Sequence, residues 1–396
     1  MSFFDSIDTL PEDPIFSLQT AFFADKRPKK INLAIGTYKD STGQSTVLTC
    51  VQKAEKSILE ASLVKDYLPI AGEKNYIFET SKLIFGKTPK ITDGTIFGAQ
   101  TVGGTAALRV CGEFLAKNNQ NKTIYIPNMT WVNHTLVFKR AGLNVETYPY
   151  YNYSDHKFDF DEMCKRIKQM PKSSIILLHG TCHNPTGLNP TFAEWKELSA
   201  LIKAANIIPL FDLAYHGFGI SLEKDVEPIR YFVEMGHELF AAYTYSKNMG
   251  LYGERAGALF AVMNESQKTL KVASHLKPII RSIYSNPPLQ AARIVTAVLQ
   301  DEGLKKEWVL ELQNMKGRID EMRKAFIIGL LSKEAGTKYQ FMNQPQTGLF
   351  TYTGLNESQV QRLKTDFGIY IADGRINLAG LNSGNMDYVI ESILSL

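Results

Sequence analysis

The 396-residue sequence has little of several features that mark large classes of protein. It contains only four cysteines and no Cys-x-x-Cys pair, which favours reduced thiols over a disulfide framework or a zinc site. These cysteines are Cys50, Cys111, Cys164 and Cys182. No apolar stretch approaches the roughly 20 residues that a membrane-spanning helix requires. The net charge is only +4, without a long run of lysine or arginine, so we expect neither a membrane nor a nucleic acid as a partner.

Two further absences narrow the class of protein. The first residues, Met-Ser-Phe-Phe-Asp-Ser-Ile-Asp, are acidic and lack the basic and apolar regions of a targeting peptide, which predicts a cytoplasmic protein. The dinucleotide fingerprint Gly-x-Gly-x-x-Gly is also missing, which disfavours a nicotinamide-dependent oxidoreductase.

The order of apolar and amphipathic segments predicts an α/β fold. Short apolar runs alternate with helical stretches such as 104–118, 191–205 and 229–235. The predicted strands are 95–100, 123–127, 174–179, 207–212, 239–245 and 257–262. This alternation is typical of a mostly parallel sheet with helices on both faces, in which polar residues at the strand ends line the ligand crevice.

The length and a change of pattern predict more than one domain. After Pro287-Pro288 the chain becomes rich in long, charged helix, predicted over 289–299 and 305–332, with short strands near 348–353 and 375–378. We predict a large domain over residues 46–300 and a small C-terminal domain over 301–396. An N-terminal segment, residues 1–45, is expected to pack with the small domain.

Lys247 lies in the most informative window, Thr-Tyr-Ser-Lys-Asn-Met-Gly-Leu-Tyr-Gly-Glu-Arg, residues 244–255. A single amine lies among small hydroxyls, with the guanidinium of Arg255 following. Nearby positive charge and partial burial both lower the pKa of an amine and make it nucleophilic at neutral pH. Lys247 is therefore a candidate to form a Schiff base, although most lysines are simply solvated surface groups.

Two strand ends carry groups that suit a phosphorylated, ring-containing cofactor. Gly103, Gly104 and Thr105 follow a strand and open a helix, whose free N–H groups favour an anion, although such a turn also serves tight packing. Asp212 ends a buried strand and could pair with a protonated ring nitrogen, or it could cap the next turn. Tyr215, close behind it, could hydrogen-bond a ring oxygen.

Polar and aromatic groups at other strand ends extend this pattern. Asn184 could donate to the same ring oxygen or belong to an Asn-Pro turn, and Trp131 could stack on a ring or be a core residue. Arg281 and Arg375 occupy semi-apolar settings, and two guanidinium groups suit a dicarboxylate. His179 and His183 could suggest a metal pair, but no third ligand lies close in sequence, so no metal site is predicted.

These segments, in this order from Leu33 to Gly380, resemble the class I aminotransferases of pyridoxal 5'-phosphate (PLP) fold type I, in particular the aspartate and aromatic branch. The strongest pieces are Ser-Lys-Asn at 246–248, Leu-Tyr-Gly-Glu-Arg at 251–255 and His-Asn-Pro-Thr-Gly at 183–187. The resemblance implies a large domain with a mostly parallel sheet between helices, and a smaller α+β domain.

The resemblance also implies roles for the residues above. Lys247 would form the aldimine with PLP and then act as the base that moves the proton. Asp212 would pair with the ring nitrogen, Tyr215 and Asn184 would bind the ring oxygen, and Trp131 would stack on the ring. The residues implied to hold the phosphate are Gly103, Gly104, Thr105, Thr244, Ser246 and Arg255.

Further implied roles concern the substrate and a second copy of the chain. Arg375 would bind the substrate α-carboxylate, and Ile35 and Gly36 would lie on a mobile segment that closes over it. The resemblance implies a homodimer with shared active sites, in which Tyr67 reaches the neighbour's phosphate and Arg281 the distal carboxylate of the neighbour's substrate.

The sequence departs from the family pattern at Thr244, Met249, Val132 and Thr37, of which the last two lie beside the expected substrate pocket. They bear on side-chain preference rather than on the reaction. The expected activity is therefore transfer of the amino group of L-aspartate, with aromatic amino acids as further donors, to 2-oxoglutarate by ping-pong exchange. Two alternatives are an aromatic aminotransferase and a PLP β-lyase on the same fold.

Overall fold

The computed structural model describes residues 2–396 as a mixture of helices and strands around one large sheet. Its α-helices are α1 Pro14–Ala24, α2 Thr49–Glu60, α3 Lys74–Phe85, α4 Gly103–Asn118, α5 Asn133–Arg140, α6 Phe160–Gln169, α7 Phe192–Ala204, α8 Glu227–Glu234, α9 Gln267–Ile283, α10 Leu289–Gln300, α11 Glu302–Leu331, α12 Glu357–Phe367 and α13 Met386–Leu394. Its strands are β1 Ile31–Asn32, β2 Ile96–Val102, β3 Thr123–Pro127, β4 Asn144–Tyr148, β5 Tyr151–Asn152, β6 Lys157–Phe158, β7 Ile175–His179, β8 Ile208–Leu213, β9 Leu239–Thr244, β10 Ala256–Val262, β11 Phe350–Tyr352, β12 Ile369–Tyr370 and β13 Arg375–Asn377.

The central sheet has seven strands in the order β2-β10-β9-β8-β7-β3-β4. Only β10 runs antiparallel to its neighbours, so the predicted mostly parallel α/β sheet is confirmed. The edge strand β4 was not predicted. Its residues are mostly exposed and include a glutamate, so the strand lacks the apolar run that marked the buried strands.

Alternate residues of each central strand enter two different hydrophobic cores. In β7, Ile176 and Leu178 belong to one cluster, whereas Ile175 and Leu177 belong to the other. Successive side chains of a strand point to opposite faces, so a strand covered on both faces must be apolar throughout. This explains the continuous apolar runs in the sequence. No helix within residues 2–396 is both long and apolar enough to cross a membrane.

The N-terminal segment pairs with the C-terminal part of the chain. β1 lies parallel to β12, with Ile31 opposite Ile369, and a second small sheet joins β11 to β13. The long helix α11 packs against α13 in the same region. The domain boundaries at residues 45 and 300 stay a prediction.

Candidate active site

The carboxyl ends of five central strands meet at one edge of the sheet and open into a cavity of about 530 Å³. This is the place where α/β sheets bind ligands. Most of the residues singled out in the sequence line this cavity. They are Gly36, Gly104, Thr105, Trp131, Asn184, Asp212, Tyr215, Thr244, Ser246, Lys247, Arg255 and Arg375.

Lys247 follows β9 and presents its amine to the cavity. Its Nζ lies 5.1 Å from the centre of the Tyr215 ring. Burial lowers the pKa of Lys247 to about 8, because it penalises the charged form, and the charges of Arg255 and Arg375 act in the same direction while Asp212 opposes them. Roughly a tenth of the amine is therefore unprotonated at pH 7, and this fraction is nucleophilic.

The first turn of α4 provides a cradle for an anion. Helix α4 begins at Gly103 without a side-chain cap. The Gly103 N–H donates to the Arg255 carbonyl at 2.8 Å, and the next N–H groups of the first turn are available to a ligand. Gly103 has φ +71, and a Cβ there would come within 2.4 Å of Nη2 of Arg255. The glycine thus lets the guanidinium lie against the helix end. The Thr244 and Ser246 hydroxyls, 2.8 Å apart, line the same cavity.

Asp212 is the last but one residue of β8, and its side chain is only 13% exposed. Its Oδ2 lies 3.1 Å from Nε2 of His134, at the start of α5. Burial by itself raises the pKa of Asp212, but the hydrogen bond from His134 and the charge of Lys247 outweigh it, so the pKa is lowered. The carboxylate is therefore ionised at neutral pH and can stabilise a cation in the cavity.

A chain of hydrogen bonds behind Asp212 orients this carboxylate. The Asn184 backbone N–H donates to Nδ1 of His179 at 3.3 Å, which leaves Nε2 of His179 to donate to Thr130 Oγ1 at 3.0 Å. The Thr130 hydroxyl then donates to Nδ1 of His134 at 2.9 Å, and His134 Nε2 donates to Asp212. Burial lowers the pKa of His179 to about 3, so its ring is neutral, as this direction requires.

Arg375 is a buried cation that lacks a carboxylate partner within residues 2–396. Its Nη1 donates to Asn184 Oδ1 at 2.9 Å, its Nη2 donates to the Ala34 carbonyl at 2.6 Å, and its Nε has no acceptor among the described residues. The guanidinium lies 4.0 Å from the centre of the Phe350 ring. A buried, unpaired guanidinium is costly, so this site favours a ligand carboxylate.

Tyr215 and Asn184 lie together on the same wall. The Asn184 amide nitrogen is 3.5 Å from the Tyr215 hydroxyl. Burial raises the pKa of Tyr215, although Arg375 opposes the shift, so the phenol stays protonated and can donate a hydrogen bond at neutral pH. Trp131 lies nearby, with its ring edge-on to His134 at 5.1 Å between centroids.

The N-terminal segment closes one side of the cavity with Ile35, Gly36 and Thr37. The Asn377 side chain donates to the carbonyls of Ile35 and Thr37, each at 2.7 Å. A Cβ on Gly36 would come within 2.8 Å of the Phe350 ring, so this close approach requires a glycine. Val132 lines the cavity beside Trp131, as expected from the sequence.

Gly103 lies just behind the cavity lining, whereas Tyr67 and Arg281 lie away from the cavity of their own chain. Tyr67 is 91% exposed and lines a separate surface hollow. Arg281, near the end of α9, is also exposed, and its guanidinium contacts Ser285. Their expected roles across a dimer interface stay a prediction.

The comparisons with known proteins agree with this geometry. A family described as aminotransferase class I and II matches residues 28–393. The aspartate aminotransferase of Escherichia coli (strain K12) is 43% identical over 99% of this chain and 100% of its own length. The chain belongs to the class I and II aminotransferases. The resemblance inferred from its motifs is thus confirmed.

Other proteins, including some of solved structure, are similar to this aminotransferase over almost its whole length. The cytoplasmic aspartate aminotransferase of Oryza sativa subsp. japonica is 40% identical over 99% of this chain and 97% of its own. An aromatic-amino-acid aminotransferase from Burkholderia pseudomallei, covalently bound to pyridoxal phosphate, has a TM-score of 0.95 at 39% identity, covering 100% of this chain and 99% of its own. Cytoplasmic aspartate aminotransferase from Saccharomyces cerevisiae also has a TM-score of 0.95, at 35% identity, covering 99% and 98%.

Sequence reasoning missed three residues of this aminotransferase site, namely His134, Thr130 and Phe350. His134 could have been singled out, because it follows strand β3 as Trp131 does, and the ends of the neighbouring strands β3, β7 and β8 meet. Its partner Asp212 is 78 residues away, however, and no local pattern connects them. Phe350 carries no signal, because its place under Arg375 depends on how β11 meets β13.

Proposed function

We propose that this aminotransferase uses PLP to transfer the amino group of L-aspartate to 2-oxoglutarate by ping-pong exchange. One observation carries the proposal. An amine of lowered pKa at Lys247, an ionised carboxylate at Asp212 and an unpaired guanidinium at Arg375 face a single cavity. Such a cavity suits a base, an electron-withdrawing cofactor and a substrate carboxylate together.

The groups that line the cavity fit PLP. The uncapped first turn of α4, with Arg255, Thr244 and Ser246, suits its phosphate, and the ionised Asp212 suits a protonated ring nitrogen. Tyr215 and Asn184 carry hydrogens suited to its phenolate oxygen. When bound, PLP supplies an aldehyde that condenses with amines and a ring that withdraws electrons from the substrate α-carbon.

In this proposal Lys247 first binds the cofactor and then carries the α-proton. Its lowered pKa means that the free amine can accept a proton near neutral pH and return it within the same cavity. Arg375, which Asn184 and the Ala34 carbonyl hold in position, orients the substrate by its α-carboxylate. Trp131, which lines the cavity, would cover one face of the cofactor ring.

The preference for a dicarboxylate depends on a second copy of the chain. Arg281 and Tyr67 are both exposed, and neither lines the cavity of its own chain. We infer a homodimer in which Arg281 binds the distal carboxylate of substrate in the neighbouring site and Tyr67 contacts the neighbour's phosphate. The exposed position of both side chains supports this arrangement. A cytoplasmic location is also proposed, in line with the cytoplasmic relative from rice.

The decisive experiment is a half-reaction. Purified holoenzyme receives an excess of L-aspartate or, separately, L-phenylalanine, with no oxo acid, and the visible absorbance band of the cofactor is followed. Loss of the band with aspartate, much faster than with phenylalanine, is the expected result. Absence of any visible band after reconstitution with PLP would contradict the role of Lys247.

A second candidate is an aromatic aminotransferase with 2-oxoglutarate or oxaloacetate as acceptor. It is favoured by the similarity to the Burkholderia pseudomallei protein and by Val132 and Thr37 on the substrate wall. Comparable band loss with both amino acids in the half-reaction would select it. A PLP β-lyase, the remaining alternative, would release ammonia instead of retaining the amine on the enzyme.

A further inference from the structure

A second and larger cavity, of about 920 Å³, lies between α3, the loop 217–223 and α11. None of its lining residues lines the candidate active site. Its floor is apolar and is formed by Leu83, Ile91, Leu222, Trp308 and Leu312. A volume of this size falls in the range of sites that hold small organic molecules.

The rim of this cavity carries an excess of positive charge. Its cations are Lys82, Lys87, Arg230, Lys305 and Lys316, and its carboxylates are Glu79 and Glu223. Both carboxylates are already neutralised within the rim, Glu79 by Lys82 at 2.8 Å and Glu223 by Arg230 at 2.5 Å.

Two lysines of the rim remain without an anion. Lys316 pairs with Asp320 at 2.6 Å, whereas neither Lys87 nor Lys305 forms an ion pair within residues 2–396. The uncompensated charge is therefore positive and lies at the mouth of an apolar hollow. A ligand complementary to both features has an apolar body and an anionic head.

We propose that this cavity binds an amphipathic organic acid, with its apolar part on the floor and its carboxylate or sulfonate at Lys87 and Lys305. A neutral apolar molecule would leave the two ammonium groups uncompensated. A small polyanion would leave the apolar floor facing water. The combination of floor and rim thus selects the amphipathic acid.

The walls of this cavity touch the chain segments that carry the catalytic groups. Trp308 Nε1 donates to the carbonyl of Asn248 at 2.7 Å, and Asn248 is the residue after Lys247. Gly217, close behind Tyr215, packs so tightly that a Cβ there would come within 2.5 Å of Leu312. A ligand that shifts Trp308 or Leu312 therefore acts on the active site, and by linkage active-site ligands change its affinity.

Binding is tested on the holoenzyme with 8-anilinonaphthalene-1-sulfonate, an aromatic sulfonate whose fluorescence rises in apolar surroundings. We expect saturable binding that decanoate displaces about tenfold better than decan-1-ol, because only decanoate carries the charge. The double variant Lys87→Glu and Lys305→Glu should weaken binding by about tenfold or more. The matched control Lys306→Glu, an exposed charge on α11 outside the cavity, should bind as the wild type does.

Equal affinity in the wild type and the double variant would overturn the proposal, as would absence of binding at millimolar probe. A volume test does not depend on charge. Leu83→Trp should fill part of the floor and weaken binding, and its thermal unfolding curve shows whether the fold is intact. An intact Leu83→Trp variant with unchanged affinity would also overturn the proposal.

Coupling is tested with succinate, a dicarboxylate without an amino group, which occupies the active site without reacting. Saturating succinate should change the dissociation constant of the probe by about fivefold. Trp308→Phe, which removes the indole N–H, should still bind the probe but lose this change. The succinate experiment rests on the proposed function, because it assumes that a dicarboxylate occupies the active site, whereas the binding of the probe does not. Loss of the visible band with aspartate tests the proposed function separately, so the two failures can be told apart.

Discussion

The floor and the substrate wall of the active site are held in different ways. The floor consists of Asp212, Thr244 and Lys247, which lie on or directly after strands β8 and β9, and each strand is hydrogen-bonded on both sides. The wall consists of Gly36 on the N-terminal segment and Arg375 on the two-stranded sheet β11–β13. Beyond the short ladder between β1 and β12, side-chain hydrogen bonds from Asn377 hold the N-terminal segment at Ile35 and Thr37.

This difference separates the chemistry from the specificity. Groups on a central sheet keep their distances, which suits a base and a charge that must face the same atoms in every cycle. Groups on short strands and loops can shift, which suits closure over different side chains. Floor variants should therefore change the reaction for all substrates alike, whereas variants of groups that face the substrate side chain should change the ranking of substrates.

The largest expected effect belongs to Lys247 on the floor. Lys247→Ala removes the base, and turnover of aspartate with 2-oxoglutarate should fall by about 10⁴-fold or more. Phenylalanine should lose activity to the same degree, because the base acts on every substrate. The control Lys271→Ala removes an exposed lysine of α9 and should leave turnover unchanged. Near-normal multiple turnover in the Lys247 variant would contradict the assignment.

A smaller and selective effect is expected on the substrate side. Arg281→Ala should raise KM for aspartate by about 100-fold, because a distal carboxylate loses its charge-assisted hydrogen bonds, and should change KM for phenylalanine much less. Steady-state kinetics with both amino acids measure the ratio. Lys277→Ala, an exposed charge on the same helix, serves as the control. Equal effects on both substrates would show that Arg281 does not contact the side chain.

A substitution at His134 tests how strongly its hydrogen bond fixes Asp212 on the floor. His134→Gln weakens the donor to Asp212, and we expect a loss of kcat of about tenfold for every substrate. The pKa of Asp212 should rise once this hydrogen bond is weakened, so the acidic limb of the pH profile should move to higher pH. A loss of stability without a shifted acidic limb would mean that His134 acts through packing alone.

The smallest effect is a dependence of stability on pH. The pKa of Lys247 is lowered from 10.5 to about 8 mainly by burial, so between these values the unfolded chain binds more protons than the folded one. Stability of the cofactor-free protein should therefore rise with pH through this window and level off below about pH 8. Thermal unfolding of the wild type against Lys247→Met isolates this contribution, with Lys271→Met as the control. A constant difference at all pH values would contradict the lowered pKa.

Much of the floor could be predicted from the sequence because its signals are local. The buried strands are apolar throughout because both of their faces are covered, and such continuous apolar runs can be recognised in the sequence. Lys247 and its hydroxyl neighbours lie within one short window of the sequence. Such features depend on residues that are close in sequence, so they can be recognised without knowledge of the tertiary structure.

Other contacts were decided only by the tertiary structure. Three of these contacts join residues far apart in sequence. They are the hydrogen bond between His134 and Asp212, the hydrogen bond between Arg375 and Asn184, and the pairing of Ile31 with Ile369. Which distant partners meet depends on the order of strands in the sheet and on the packing around them. No local pattern of charge or hydrophobicity carries that information. The sequence by itself therefore determined which chemical groups are present at the strand ends, and only the packed sheet decided which of them touch.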